Sequence, residues 1–202
     1  MPPMSKFTLW AEQYIQDQQR LLAEINVEAI NKVLATLRFD IYSKVFICGN
    51  GGSLSNSQHF MCDLIKGAND SIRKDKKGKL GPFRGLALGT NPSLSSAISN
   101  DYSYEDIFVR ELQAVAKPLD ILIGLSVSGN SMNVVKAFKF AKNYNIRTVA
   151  IVGNKGKNKL EKMADYTIAM DSGHFGRVED VTMTILHMIC YYFIEGVYRL
   201  QQ

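Results

Sequence analysis

KVFICGNGGSLSNSQHF (residues 44–60) contains the pattern that decides the fold. It begins with a short run of β-branched and aromatic residues, which is typical of a buried strand. Glycines follow at 49, 51 and 52, and a helix-length segment without Gly or Pro starts at Ser53. A buried strand that leads through a glycine turn into a helix is the first part of a parallel α/β unit.

The rest of the chain repeats this alternation. Four more short apolar runs predict strands at 84–89, 120–126, 147–153 and 166–171. Helix-length segments lie at 53–66, about 103–116, 130–144, about 157–164 and 177–199. Strands that alternate with helices predict a five-stranded parallel sheet with helices on both faces, a three-layer α-β-α sandwich.

Residues 6–38 carry apolar residues at helical spacing and contain no Pro, which predicts one long helix or two consecutive ones. We therefore expect a single domain over 1–202, with an N-terminal helical segment (1–40) and an α/β core (41–202). The N-terminal helix would pack either on a partner subunit or on the core of its own chain.

Composition argues against several classes of protein. The net charge is +5, but the run RKDKKGK (73–79) contributes +4 of it, so the basic character is local and does not favour a nucleic-acid-binding face. This run predicts a solvated loop. The longest apolar stretch, 181–194, is too short to span a bilayer. Three widely spaced cysteines and an N-terminus without signal-peptide character lead us to expect a cytoplasmic protein without a disulfide framework.

Two strand–turn–helix junctions resemble each other. CGNGGSLS (48–55) and GLSVSGNSMN (124–133) both combine glycine, serine and asparagine between an apolar run and a helix. Glycine allows the backbone to approach an anion, and a helix N-terminus offers free N–H donors. The alternative is that these polar residues only cap helices and form turns. Two such junctions in one sheet favour an anion site.

A nucleotide does not fit these turns. Leu54 stands where the dinucleotide fingerprint requires its third glycine, and Asn130 replaces the lysine that a P-loop requires. The hydroxyls of Ser126, Ser128 and Ser131 better suit a single phosphate monoester. We therefore expect a phosphorylated ligand and no nucleotide.

Four ionisable residues lie on the helices that flank these turns. Asp63 follows His59 by four residues, and His187 follows Glu179 by eight, so each pair shares a helix face. If both helices face one crevice, the four side chains predict either a divalent metal site or a general acid–base pair. His174 lies in the glycine-bounded loop DSGHFG (171–176), where we expect an ordinary loop residue.

Four motifs together resemble the sugar isomerase (SIS) domain family, and within it the phosphoheptose isomerases. They are CGNGGSLSNSQHF (48–60), ISNDYSYEDIF (98–108), SVSGNSMNVVKA (126–137) and HFGRVEDV (174–181), and the resemblance extends over about 10–199. It implies a flavodoxin-like sheet, a homotetramer with active sites between subunits, and isomerisation of sedoheptulose 7-phosphate to a D-glycero-D-manno-heptose 7-phosphate for surface-polysaccharide synthesis.

The resemblance also implies roles for individual residues. By this resemblance, Asp63 and His187 would be the catalytic residues. Substrate binding falls on Asn50, Gly51, Gly52, Ser53, Asn100, Asp101, Ser126, Ser128, Ser131 and Glu179. The zinc ion of some members would bind to His59, Asp63, Glu179 and His187.

Two residues depart from the family pattern: Asp63 stands where glutamate is usual, and Glu179 where glutamine is usual. The shorter Asp63 would require a closer helix, a different metal geometry or a lower rate. Glu179 would strengthen a metal site or act as the base. Two alternative functions are a non-catalytic SIS module, which senses a sugar phosphate or binds a protein, and an isomerase of another sugar phosphate.

Overall fold

A computed structural model describes residues 5–39, 43–75 and 80–201. The sheet has five parallel strands in the order β2-β1-β3-β4-β5. Their bounds are Lys44–Cys48 (β1), Arg84–Ala87 (β2), Ile121–Ser126 (β3), Arg147–Val152 (β4) and Tyr166–Ala169 (β5). Each lies within a run predicted from its apolar character, so the α/β sandwich and its five parallel strands are confirmed.

The helices cover both faces of the sheet. The α-helices are Lys6–Ala23 (α1), Val27–Phe39 (α2), Gly52–Cys62 (α3), Asn69–Lys74 (α4), Pro92–Asp101 (α5), Ile107–Val115 (α6), Met132–Asn143 (α7), Lys159–Met163 (α8) and Phe175–Ile194 (α9). A π-helix, Asp63–Ala68, joins α3 to α4, and 3₁₀ segments lie at Tyr104–Asp106 and Val197–Gln201. The N-terminal region thus has two helices, one of the two predicted arrangements. The division of the chain into one domain with a helical segment remains a prediction.

Some elements differ from the prediction. The helix after β1 continues through the π-helix and α4, and α5 was not predicted at all. Asn91 caps α5 and Pro92 follows at its first position, a start signal that the sequence did contain. Of the basic run, Arg73 and Lys74 end α4, whereas residues 76–79 lie outside the described residues.

Two hydrophobic clusters lie on opposite faces of the sheet. Val45 and Ile47 of β1 point into a cluster with α2, α3 and α9, whereas Phe46 and Cys48 point into a cluster with α6 and α7. Successive strand residues point to opposite faces, so a strand that is buried on both sides reads as a continuous apolar run. This explains why the five runs were recognisable in the sequence.

The strand order places a crevice at the carboxyl ends of β1 and β3. From β1 the chain crosses to β2 on one side, and β3 begins the other half of the sheet. Ligands of open α/β sheets bind at such a change of direction. Within the described residues, no helix is long and apolar enough to cross a membrane.

Candidate active site

The turn after β1 brings its glycines to this crevice. Gly51 has φ of 55° and forms the N-cap of α3, a backbone conformation that favours glycine. Gly52 leaves space for a neighbouring carboxylate, because a Cβ atom there would lie 2.4 Å from Oε2 of Glu179. The side chain of Ser53 is largely buried at the start of α3. This turn therefore faces the N-terminal part of α9.

The turn after β3 presents three hydroxyl groups together. Oγ of Ser126 lies 3.0 Å from Oγ of Ser131 and 3.5 Å from Oγ of Ser128. Ser131 is the N-cap of α7, so these hydroxyls lie beside the free N–H groups at the start of that helix. Neutral donors at a helix N-terminus form an anion site.

A pocket of about 350 Å³ lies between the two turns. Its polar lining comes from the predicted residues Asn50, Gly51, Gly52, Ser53, Ser126, Ser128, Ser131 and Glu179. Glu179 is the one ionisable side chain among the lining residues. The serine hydroxyls, the glycine turn and this carboxylate therefore line a single pocket.

His59, Asp63 and His187 form a second cluster. Oδ2 of Asp63 lies 3.5 Å from Nε2 of His59 and 3.7 Å from Nε2 of His187. The two Nε2 atoms are 3.4 Å apart. The convergence of α3 and α9 on one crevice, which spacing alone could not establish, is thus present in the structure.

A change of helix type occurs at the acidic member of this cluster. Asp63 is the first residue of the π-helix, which continues α3 without a break. Single π-turns inside α-helices are frequent at functional sites. Beneath the cluster, burial and the Asp63 carboxylate together raise the pKa of the Cys190 thiol, so this cysteine remains protonated and is a packing residue.

Three predicted residues lie elsewhere than the prediction placed them: Glu179 is outside the metal-ligand group, and Asn100 and Asp101 are outside the pocket. Among the described residues, the group with metal-ligand spacing consists of His59, Asp63 and His187, and Glu179 does not join it. Glu179 lies beside Gly52 in the pocket instead. Asn100 and Asp101, at the end of α5, are exposed and do not line the pocket.

Further residues of the site were not predicted. Phe175 lines the pocket and is 66% exposed. The sequence analysis included Phe175 in the motif HFGRVEDV but did not predict that its side chain lines the pocket. His174 caps α9 by accepting a hydrogen bond from the Arg177 backbone, which agrees with the interpretation of this histidine as a loop residue. Asn133 and Tyr104, which contact Asn50, also escaped prediction.

The helix that carries Phe175 and Glu179 is held at its start by α1. Arg177 forms an ion pair with Asp17 at 2.9 Å, and its guanidinium lies 4.7 Å from the ring centre of Tyr14. The Tyr14 hydroxyl donates a hydrogen bond to Asp180. These contacts across two helices orient the N-terminal turn of α9 against the pocket.

The cluster of two histidines and an aspartate fits a zinc ion chemically. One ligand atom from each of the three residues lies within 4.8 Å of the others. Imidazole nitrogen and carboxylate oxygen are common zinc ligands, and three protein ligands leave one position for substrate or water. The same three side chains could equally exchange protons with a substrate.

Comparisons with known proteins relate the chain to one family. The profile of the SIS domain matches residues 13–153. A probable phosphoheptose isomerase of Thermoplasma acidophilum is 36% identical over 182 residues, covering 89% of this chain and 95% of that protein. A phosphoheptose isomerase of Helicobacter pylori is 34% identical over 169 residues, covering 84% of this chain and 82% of that protein.

A solved structure supports the fold. The phosphoheptose isomerase of Francisella tularensis superimposes with a TM-score of 0.81 at 22% identity, covering 96% of this chain and all of that one. The likeness extends over the N-terminal helices as well as the sheet, since nearly the whole chain is matched.

Proposed function

The chain belongs to the SIS domain family, and on that premise we propose that it isomerises sedoheptulose 7-phosphate to D-glycero-D-manno-heptose 7-phosphate. It is a sugar-phosphate isomerase, like the phosphoheptose isomerases that it resembles over most of its length. The observation that carries the proposal is the pairing of a hydroxyl-lined pocket with a His–Asp–His cluster, since α3 and α9 contribute residues to both.

The phosphate is proposed to bind at the serine side of the pocket. Ser126, Ser128 and Ser131 offer three hydroxyl groups, with those of Ser128 and Ser131 within 3.5 Å of the Ser126 hydroxyl, next to the N-terminus of α7. Glu179 would repel a phosphate dianion, but its carboxylate can accept hydrogen bonds from sugar hydroxyls. The pocket thus favours one orientation, with the phosphate on the serines and the sugar toward Glu179.

The reaction moves one proton between adjacent carbon atoms. A base removes a proton from C1 of the open-chain ketose, the C2 oxygen gains a proton, and an enediol results. Loss of the O1 proton and protonation at C2 then give the aldose. We propose Asp63 as the base and His187 as the complementary acid, because their side chains converge and His59 completes the group.

Zinc is proposed to bind to the same cluster. His59, Asp63 and His187 would hold it, and Glu179 is proposed as a residue of the pocket. Bound zinc would supply a Lewis acid that polarises a sugar oxygen. His59 would orient Asp63 whether or not the ion is bound, since their side chains are neighbours on one helix face.

A homotetramer with active sites between subunits is also proposed. The side chains of His59 and His187 are 53% and 41% exposed in the single chain. An enediol needs protection from water, and a neighbouring subunit over this cluster would provide it. The exposed apolar side chains of α1, among them Phe7 and Trp10, offer a surface for such an assembly.

The remaining proposals concern the cellular setting. Three free cysteines, two of them buried, fit a reducing compartment, and we propose the cytoplasm. A heptose phosphate made there would supply the synthesis of lipopolysaccharide, capsule or a related surface glycan.

One assay tests the function. Sedoheptulose 7-phosphate and a hexulose phosphate are incubated separately with the full-length protein, with zinc and after chelation, and the aldose product is measured. We expect turnover of the heptulose phosphate that falls after chelation and returns with zinc. Turnover of only the hexulose phosphate would reassign the substrate, and turnover of neither would identify a binding module.

A further inference from the structure

Two asparagines join the two turns of the pocket through a reciprocal amide pair. Nδ2 of Asn50 donates to Oδ1 of Asn133 at 3.0 Å, and Nδ2 of Asn133 donates to Oδ1 of Asn50 at 2.8 Å. Asn50 belongs to the turn after β1, whereas Asn133 lies in the first turn of α7 and is 2% exposed. The pair therefore connects the glycine turn to the serine turn.

The orientation of both amides follows from their neighbours. The backbone N–H of Val134 donates to Oδ1 of Asn133. If the Asn133 amide were rotated by 180°, its Nδ2 group would face this N–H, and two donors would be opposed. The orientation of Asn133 in turn determines the orientation of the Asn50 amide, because each Nδ2 must face the Oδ1 of the other residue. A buried amide with defined partners is a rigid connection, since leaving it unpaired is unfavourable.

A third side chain completes this connection. The hydroxyl of Tyr104 donates to Oδ1 of Asn50 at 2.9 Å, so this oxygen accepts two hydrogen bonds and both of its lone pairs are used. The side-chain oxygen of Asn50 is therefore not available for the sugar contact that the family resemblance implied. Asn50 therefore contributes to the pocket through its position in the glycine turn and not through this oxygen.

The segment that carries Tyr104 is itself attached to α7. Lys136 contacts Glu105 at 3.0 Å and Asp106 at 3.1 Å, and the Ser103 hydroxyl donates to Asp106. This segment directly follows Asn100 and Asp101, the two predicted sugar-contact residues. Three chain segments around the pocket, 49–53, 100–106 and 126–133, are thus linked through one amide pair and one phenol.

We propose that Asn133 and Tyr104 are positioning residues, which hold the glycine turn at the distance from the serine turn that the sugar phosphate requires. The proposal rests on the proposed function of the pocket. Neither residue lines the pocket, so they act through Asn50. A displacement of about 1 Å in such a site costs about a hundredfold in rate, and loss of one hydrogen bond costs about tenfold or less.

Hydrogen–deuterium exchange of the ligand-free protein tests the connection directly. Tyr104→Phe removes one hydroxyl from an exposed side chain, and Tyr102→Phe is the matched control, because no hydrogen bond of the Tyr102 hydroxyl occurs among the described residues. We expect faster exchange in a peptide covering 49–53 for Tyr104→Phe, more so for Asn133→Ser, and wild-type exchange for the control.

Kinetics give the second measurement. With sedoheptulose 7-phosphate, Tyr104→Phe should raise KM about fivefold to tenfold and change kcat less, while the melting temperature stays near that of the wild type. The double variant should lose less than the product of the two single effects, because both residues act on Asn50.

The outcomes separate the two proposals. Wild-type exchange in 49–53 for both Tyr104→Phe and Asn133→Ser would overturn the positioning role, whatever the activity. An equal response of the Tyr102→Phe control would overturn it as well. Faster exchange in a protein that turns over no heptulose phosphate would support the connection and refute the proposed function instead.

Discussion

At the scale of single residues, Asp63 is the acidic member of the His–Asp–His cluster. One of its carboxylate oxygens lies near both imidazoles, at 3.5 and 3.7 Å. The Asp63 carboxylate therefore lies within reach of both histidines. The π-helix begins at this residue, and such turns are frequent at functional sites.

Asp63→Asn should reduce kcat by about 10²- to 10⁴-fold, because an amide cannot accept the proton from C1. Affinity for inorganic phosphate, measured by titration calorimetry, should remain that of the wild type, since the serine cluster is unchanged. Asp70→Asn, the same chemical change on α4, serves as the control. Full activity of Asp63→Asn would refute the assignment of Asp63 as the base.

Asp106 predicts a pH dependence of stability. Hydrogen bonds from Ser103 and Lys136 lower the pKa of its carboxyl group, so the folded chain binds the proton less readily than the unfolded one. The contribution to stability is present above the ordinary aspartate pKa of about 3.9 and is lost as the pH falls through the lower folded value.

Urea unfolding between pH 2 and pH 7 measures this contribution. Wild type should be more stable than Asp106→Asn at pH 7, and the two unfolding free energies should converge in acid. In a Lys136→Met background the difference should be smaller, because one of the two hydrogen-bond donors is gone. A difference that is constant across the whole pH range would contradict the interpretation.

At the scale of elements, the turn after β4 supports the serine turn through a glycine. A Cβ atom at Gly153 would lie 2.4 Å from the carbonyl oxygen of Ser172 and 2.5 Å from that of Val127. These are backbone atoms, which cannot move aside as a flexible side chain can. The turns after β3 and β4 and the loop before α9 therefore approach closely only because residue 153 is glycine.

Gly153→Ala should destabilise the protein by about 3 kcal/mol and weaken phosphate binding, because overpacking displaces the serine turn. Gly156→Ala is the control in the same loop: a Cβ atom there meets nothing within 4 Å, and its φ of 77° alone should cost about 1 kcal/mol. Equal unfolding free energies and equal phosphate affinities for the two variants would refute the steric argument.

At the scale of the whole molecule, α1 has a face that its own chain only partly covers. Tyr14, Asp17 and the buried Leu21 contact the rest of the chain on one side of the helix. Phe7 and Trp10 continue the same stripe by helical spacing, but their side chains are 71% and 56% exposed. An aromatic stripe that extends beyond the core favours a subunit contact.

Trp10→Glu should shift the assembly toward smaller species and lower the activity, because the proposed active sites lie between subunits. Light scattering after size exclusion measures the mass, and Gln19→Glu adds the same charge at an exposed position on the opposite face of α1 as the control. A wild-type mass for Trp10→Glu would exclude this face as the contact, and a monomeric wild type would refute the tetramer.

The sequence by itself determined the sheet, its two glycine- and serine-rich turns and the family. Strands buried on both faces appear as continuous apolar runs, and glycine, serine and asparagine at strand–helix junctions have local physical reasons that need no distant partner. The residues of the cluster, on α3, the π-helix and α9, were predictable as candidates for a similar reason, since spacing along a helix places each pair on one face.

Only the tertiary structure decided which candidates meet. Glu179 and His187 share a face of α9, yet one lies at the pocket and the other at the His–Asp cluster, because their distance along the helix is about two turns. Asn50 pairs with Asn133 across 83 residues of sequence, and no local pattern encodes such a contact. Local structural propensity depends on neighbouring residues, whereas the geometry of a site depends on how distant segments pack.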